Sequence, residues 1–526
     1  MDEREILKFC FEKGVLLDKE ILDLFKEIPD FESVKLIIEK VKMQSNQRMI
    51  TKSVFFENKN KLEDFFLGLP EENQNRIHKL KINLGVSIEI SKEVSIPQKE
   101  SLLQKNFESE RGVKVVSNFK FFNKKLSVED FVKYFRSRFF EIKKFLQERA
   151  ELNNLVSINK ISGDKRGFFI IGMVSDKKVT KNKNLLFEIE DLTGKIRVLI
   201  NNSKKDLYEK ANEICLDSIM GFNGSGNREI LFANDVFFPE VEVLEKKNSL
   251  KEEYAVFLGD LHFGSKLFLK DSFLKFIDYL NGKIPNTPES GKIKYLFMVG
   301  DLVTGVGNYP NQERDLNVVD LEEQFLGLAE LLSRIRKDIT LIISPGNHDG
   351  VRIMEPQPPL DEKYAWPLYD LENAIFTSNP CYVNIGSDKI FSGFDVLTYH
   401  GFSYPFYANN VPSLMLKKVM NTPEEIMKYL LKNRHLAPTH TSTQYYPNEE
   451  DNLVIKKIPD IFVSGHTHKS AVSYYNNVLI ISISSWEGKT PYQEKFGNEP
   501  DHCKVPLFNL KTRAVKILDF EEKIKL

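Results

Sequence analysis

Cysteine is scarce in this chain. Four cysteines, Cys10, Cys215, Cys381 and Cys503, are spread over 526 residues with no CxxC pair among them. That spacing argues against a zinc ribbon or a disulfide framework, and a reducing, cytoplasmic setting is expected. Long apolar runs are missing too, since none approaches the ~18 residues of a membrane span. Met1-Asp2-Glu3-Arg4 is charged where a signal peptide would carry its apolar stretch, so no membrane association is expected. An excess of charge of one sign is also lacking. Against 74 Lys and Arg stand 75 Asp and Glu, a formal net charge of -1. Nothing global marks a nucleic-acid binder, and such binding must come from a local basic surface or from a metal site that takes phosphate. Histidine is rare as well, at nine residues, and its placement is the most informative feature of the chain.

Five of the nine histidines sit just after short apolar runs. Gly259-Asp260-Leu261-His262 follows residues 254–258. Gly300-Asp301 follows 295–299, and Gly346-Asn347-His348-Asp349 follows 340–343. His400-Gly401 follows Val396-Leu397, and Gly465-His466-Thr467-His468 follows Ile461-Phe462-Val463. Each reads as a strand that ends where a metal-type ligand begins. Open α/β sheets bind their ligands at the carboxyl ends of strands. Carboxylate, imidazole and amide oxygens without thiolate suit manganese, iron or zinc better than a soft metal. Seven such ligands, Asp260, His262, Asp301, Asn347, His400, His466 and His468, are too many for one tetrahedral ion but suit two ions sharing a carboxylate. His348 is the odd histidine, placed to donate a proton to a leaving oxygen, with Asp349 expected to orient it. His78, His435, His440 and His502 are assigned ordinary structural roles.

At 526 residues the chain is too long for one core, and two to four domains are expected. Residues 1–45 carry apolar positions at helical spacing and read as a small helical module. Residues 46–112 are rich in Asn, Lys, Glu, Gln and Ser and read as a flexible linker. Within 113–152, Ser127-Val128-Glu129-Asp130 resembles a capping box. It opens a helical connector with Phe131, Tyr134, Phe135, Phe139, Ile142 and Leu146 on one face. Lys133, Arg136, Arg138, Lys143 and Lys144 are expected on a solvated face, with a phosphate-facing surface the alternative. From 153 to 245 the pattern turns to five short strands with one helix between the third and fourth, which is the order of an OB-fold. Such a domain docks either single strands or proteins, and its only stacking pair is Phe168 and Phe169, one of which is expected in the core. From 246 to 526, strands alternate with helical segments such as 273–280 and 321–336, an α/β layer architecture.

The series Asp260-x-His262, Gly300-Asp301, Gly346-Asn347-His348-Asp349, His400 and Gly465-His466-x-His468 resembles the calcineurin-like metallophosphoesterases. Gly305-Val306-Gly307-Asn308-Tyr309-Pro310, Glu355-Pro356-Gln357-Pro358, Arg434-His435-Leu436-Ala437-Pro438 and Pro459-Asp460-Ile461-Phe462 are similar to one branch of them, the small subunits of archaeal family D DNA polymerases. The resemblance covers nearly the whole chain. It implies a multidomain fold of layered sheets flanked by helices, with an OB-fold and an N-terminal helical module. It also implies a manganese-dependent 3'-to-5' proofreading exonuclease acting on DNA, bound to a large polymerising subunit. By the same resemblance Asp260, His262, Asp301 and His468 hold one ion, and Asp301, Asn347, His400 and His466 the other. Thr304 departs from the Gly-Asp-Leu-Val-Asp common in this branch, which is expected to change what lies behind the ligands rather than the ligands themselves. A stand-alone phosphatase and a non-catalytic assembly scaffold are the competing readings.

One motif falls outside this account. In Lys59-Asn60-Lys61-Leu62-Glu63-Asp64-Phe65-Phe66, one helical turn gathers Leu62, Phe65 and Phe66 into a plug like those of peptides that dock on sliding clamps. Lys59 stands where such peptides carry glutamine, and a local helix packing on the N-terminal module or on the large subunit is the plainer reading.

Overall fold

The backbone falls into two units, Met1–Leu103 and Gln104–Leu526. The computed structural model describes residues 3–18, 112–117 and 125–521 except 153, 164, 244, 418 and 496, together with 21–22, 25, 31, 34–35, 38–39, 42 and 49–50. The clamp-like stretch from Lys59 to Phe66 and most of the expected linker lie outside the described residues.

In the first unit, helix Glu3–Glu12 buries Ile6 and Cys10, one turn apart. Ile21, Leu22, Phe25, Val34 and Ile38, expected on helical faces, are buried. Leu16–Leu17 pairs in parallel with Met49–Ile50, so residues assigned from sequence to the start of the linker form a short strand.

The second unit holds a barrel and a two-sheet body. Strands Lys165–Val179, Leu185–Asp191, Gly194–Ile200, Ile219–Gly226 and Ile230–Phe237 close into a five-stranded barrel, with helix Lys205–Asn212 between the third and fourth. This is the strand order expected from the sequence. The first strand is longer than its apolar run because it curls to pair with both neighbours, shifting register between Val174 and Asp176. Phe168 and Phe169 are both buried, so one is in the core as expected and neither is exposed for stacking. Successive strand residues point to opposite faces. Phe168 therefore enters the barrel core while Phe169 packs beside Phe139, Ile142 and Leu146 of helix Val128–Gln147.

That helix begins at the expected capping box, with Asp130 N–H bonded to Ser127 Oγ and Ser127 N–H to Asp130 Oδ2. One basic residue departs from its expected place. Arg138 is buried and donates to Asp451 Oδ2 at 2.5 Å and to the Pro438 carbonyl at 2.8 Å.

The body consists of two six-stranded sheets. One runs Ala374–Phe376, Thr340–Ser344, Ile293–Val299, Tyr254–Leu258, Lys504–Asn509, Val515–Asp519, its first four strands parallel. The other runs Ala471–Tyr475, Val478–Ser482, Ile461–Ser464, Phe394–Tyr399, Cys381–Ile385, Val113–Val115. Residues 113–115, assigned to a helical connector, are instead an edge strand paired antiparallel with Cys381–Ile385. Their alternating Val-Lys-Val is too short to announce a strand without its partner. Phe257, Phe297, Val396, Val463 and Ile481 pack in the core between the sheets. Helices Lys270–Leu280 and Leu321–Leu332 cover the outer face of the first sheet, and Tyr404–Asn410 and Pro423–Asn433 that of the second. Central strands such as Thr340–Ser344 and Val478–Ser482 are therefore buried on both faces and read as unbroken apolar runs.

Candidate metal centre

The layers bring the strand ends together. Register pairs Leu258 with Met298, Val299 with Ser344, and Tyr399 with Ser464, so the carboxyl ends lie nearly level in each sheet. The chain turns sharply on leaving them. Asp260, His262, Asp301, His466 and His468 all have left-handed backbone, with φ of 46°, 48°, 48°, 69° and 55°. Outside glycine such conformations cost of order 1–3 kcal/mol each and gather at functional sites. They are held here by main-chain bonds, Asp260 N–H to the Gly300 carbonyl at 2.9 Å and His262 N–H to that of Asp301 at 3.0 Å. Two glycines are required by close approach. A Cβ on Gly346 would lie 2.3 Å from Asp301 Oδ1, and one on Gly300 2.4 Å from His400 Nδ1.

All seven expected ligands are brought to this place. Ligand atoms of Asp260, His262 and His468 lie within 4.8 Å of one another, as do those of Asp301, His400 and His466. Asn347 Oδ1 joins the second group, 3.0 Å from His400 Nε2, and His400 Nε2 lies 3.1 Å from Asp301 Oδ2. Asp301 stands between the groups, because it also clusters with His262 and His348 within the same 4.8 Å.

Electrostatics fits a cation at these groups. Burial pushes His262 and His466 down to about 3 and His468 well below the usual range, and neighbouring histidines add to each shift. The neutral imidazole is the ligating form. Burial acts the same way on His400, but the adjoining Asp301 carboxylate outweighs it and raises His400 to about 10. Burial would raise Asp301 too, yet His400 beside it holds it well below the usual carboxylate range. Burial pushes Asp260 well above that range, and the opposing pull of His400 and of the His466 N–H does not offset it. Buried carboxylates set largely among neutral imidazoles are short of positive charge, which divalent ions would supply.

Two expectations about the remaining residues are modified. Asp349 does not touch the His348 ring. Its carboxylate accepts from Gly346 N–H at 2.7 Å and Val303 N–H at 3.0 Å, bracing the two ligand turns, and burial followed by the Asp301 charge raises it to about 6. His348 instead points Nδ1 at the Thr304 carbonyl, 2.8 Å away, while its backbone N–H donates to Asp301 Oδ1 at 2.9 Å. Thr304 Oγ1 donates to the His262 carbonyl at 2.7 Å, so the departure at this position lies behind one candidate ligand.

Other supporting contacts have no local sequence signal. Asn379 Oδ1 accepts from His400 N–H at 2.8 Å, and Gln493 Nε2 lies 2.9 Å from His468 Nδ1. His435 has the structural role expected of it, with Nδ1 accepting from Ala437 N–H and Nε2 facing Asp451 Oδ2, both at 2.9 Å. His440 and His502 join none of the three groups, and His78 lies outside the described residues.

Residues 255–473, which hold all seven candidate ligands, match the family model for the B subunits of DNA polymerases alpha and epsilon. The chain is 38% identical over 403 residues to the DNA polymerase II small subunit of Pyrococcus furiosus, covering 75% of this chain and 64% of that one. Against that of Methanothermobacter thermautotrophicus it is 35% identical over 398 residues, covering 75% and 80%. Against that of Pyrococcus horikoshii it is 35% identical over 469 residues, covering 86% and 73%. The chain thus spans less than two thirds of the length of the Pyrococcus furiosus relative but most of the other two, and it belongs to the family of archaeal DNA polymerase II small subunits.

Proposed function

We propose that this chain is the 3'-to-5' exonuclease subunit of an archaeal family D DNA polymerase. It removes mispaired primer ends in the cytoplasm, in complex with a large polymerising subunit. The observation that carries this reading is the convergence of two ligand groups on a shared Asp301. Asp260, His262, Asp301 and His468 would hold one divalent ion, and Asp301, Asn347, His400 and His466 a second, with manganese the metal implied by the family resemblance and iron or zinc compatible with the same oxygen and imidazole donors. Two such ions, when bound, would supply charge to a phosphodiester and lower the pKa of a water toward neutral pH. His348, with Nδ1 occupied by Thr304, keeps Nε2 for the substrate, where it gives a proton to the departing 3' oxygen. Asp349 braces the turn that carries Asn347 and His348. Residues 246–526 form the catalytic body, and 153–245 are an OB-fold domain.

The test is degradation of a 3'-labelled DNA single strand with manganese, by this chain with and without its large subunit. Stepwise loss from the 3' end is expected, and Asp301→Ala should abolish it and lower the bound metal while the protein stays folded. Near-normal cleavage by Asp301→Ala would sink the assignment of Asp301 to the metals, and no cleavage by the native complex would return the chain to the scaffold reading.

A further inference from the structure

His348 is held by a backbone carbonyl, and a carbonyl in a loop positions a ring only if the loop itself is held. The segment from Thr304 to Gln312 supplies that hold through buried amide side chains. Gln312 is buried, and its Nε2 donates to the carbonyls of Thr304 at 3.1 Å and Gly305 at 3.3 Å. Its Oε1 accepts from Asn308 N–H at 2.8 Å, and Asn308 Nδ2 donates to the Thr304 carbonyl at 2.9 Å while lying 3.0 Å from His348 Nδ1, beside both ends of that contact. Gln324, fully buried on helix Leu321–Leu332, grips the next residue from the other side. Its Oε1 accepts from Gly305 N–H at 2.9 Å, and its Nε2 donates to the carbonyls of Gly305 at 3.3 Å and Val318 at 2.8 Å. Gly305 has φ of +70°, and a Cβ there would lie 2.2 Å from the His348 carbonyl oxygen, so the loop and the His348 turn are in direct contact.

We infer that Gln312 and Gln324 are positioning residues that act through His348. Together they fix the Thr304 carbonyl, which accepts the Nδ1 proton of His348 and leaves Nε2 directed at the substrate. The network does a job usually done by a carboxylate behind a catalytic imidazole. A carbonyl carries no net charge, so it orients the ring without adding a negative charge beside two carboxylate ligands. Neither glutamine is among the seven ligands, and both are polar side chains buried where apolar ones would otherwise serve. The catalytic part of this inference rests on the exonuclease reading; the orientation of His348 does not.

The experiment has two arms. In the first, kcat and KM for manganese-dependent cleavage are measured for Gln312→Leu and Gln312→Glu, each alone and combined with His348→Gln. Gln312→Glu keeps the shape and the acceptor for Asn308 N–H but loses both donors. Each single variant should lower kcat by about 10- to 100-fold with KM and bound manganese little changed. Neither should lower it further once His348→Gln is present, because residues acting through one group are not additive. In the second arm, 15N-histidine spectra of the full chain, with the His348 resonance identified by its absence in His348→Gln, should show a hydrogen-bonded Nδ1–H that is lost in both Gln312 variants. A kcat loss of equal size with and without His348 overturns the inference, and so does an unaltered His348 resonance. If the native complex cleaves nothing, the exonuclease reading fails while the spectra still decide whether Gln312 orients His348.

Discussion

Replacing Arg138 by methionine tests whether a buried charge cluster anchors helix Val128–Gln147 to the body. Arg138 and Asp451 are each 1% exposed, and His435 completes the group at 0%. The cluster is neutral as built, because His435 carries no charge. Burial first, then the Arg138 guanidinium, pushes His435 down to about 4 from its ordinary 6.5. Burial would raise Asp451, but Arg138 and then His435 hold it well below the usual carboxylate range. Arg138→Met strands a carboxylate in the interior, and breaking a buried pair from one side costs about 3–5 kcal/mol.

The pH dependence supplies the sharper check. In the native protein the unfolded His435 binds a proton between pH 6.5 and about 4 that the folded one refuses. Stability is therefore lost as pH falls through that window, by up to roughly 3 kcal/mol at 1.36 kcal/mol per pH interval of one. In Arg138→Met the stranded cluster takes up a proton on folding, so the variant recovers stability relative to the native protein as pH drops. Urea denaturation at pH 8 and pH 5 should show the full deficit at pH 8 and a clearly smaller one at pH 5. Arg138→Met with Asp451→Asn, which removes the stranded charge, should recover part of the loss at pH 8. A deficit below about 1 kcal/mol at pH 8, or one equal at both pH values, would refute the reasoning.

Three further outcomes are expected. Gly346→Ala places a Cβ 2.3 Å from Asp301 Oδ1, so it should cut manganese retention and cleavage together while the far-ultraviolet spectrum stays native; retained metal on dialysis would show that the turn can relax. His348→Ala should keep most of the bound metal yet lose ~100- to 10,000-fold in rate, the usual share of general acid–base work, and loss of an ion in elemental analysis would make His348 a ligand instead. His400, at about 10 beside Asp301, holds a proton at pH 7.5 that a bound ion must displace. Calorimetry in buffers of different ionisation heat should therefore show release of at least one proton per chain and tighter binding as pH rises toward 10, whereas heats independent of buffer would contradict the assignment.

How much of this could be read beforehand follows from the range of the interactions. Asp260, Asp301, His400 and His466 were legible because each comes directly after a strand buried on both faces, and an unbroken apolar run that stops at a ligand is a local pattern. The barrel's strand order was legible because its alternation and its Leu192-Thr193-Gly194 turn are local too, with Asp191 Oδ1 accepting from Thr193 N–H at 2.7 Å and Gly194 N–H at 3.0 Å. Arg138 was misplaced because its partner Asp451 lies 313 residues away. A basic residue on an amphipathic helix looks solvated until the chain that neutralises it is folded against it. The edge strand Val113–Val115 was missed for the same reason, since three residues become a strand only when Cys381–Ile385 offers its free edge.

Within the site the division is finer. The types and spacing of the ligands are properties of the sequence, because metal chemistry restricts which side chains serve and strand ends restrict where. Which group orients His348 was decided by tertiary structure alone. Asp349, its neighbour in the chain, turns its carboxylate to Gly346 and Val303, and the Thr304 carbonyl takes its place. Adjacent residues at a sharp turn point in different directions, so sequence proximity says little about which side chains meet. That contact depends on how two distant loops are packed, with Gly305 of one lying directly against the His348 carbonyl of the other.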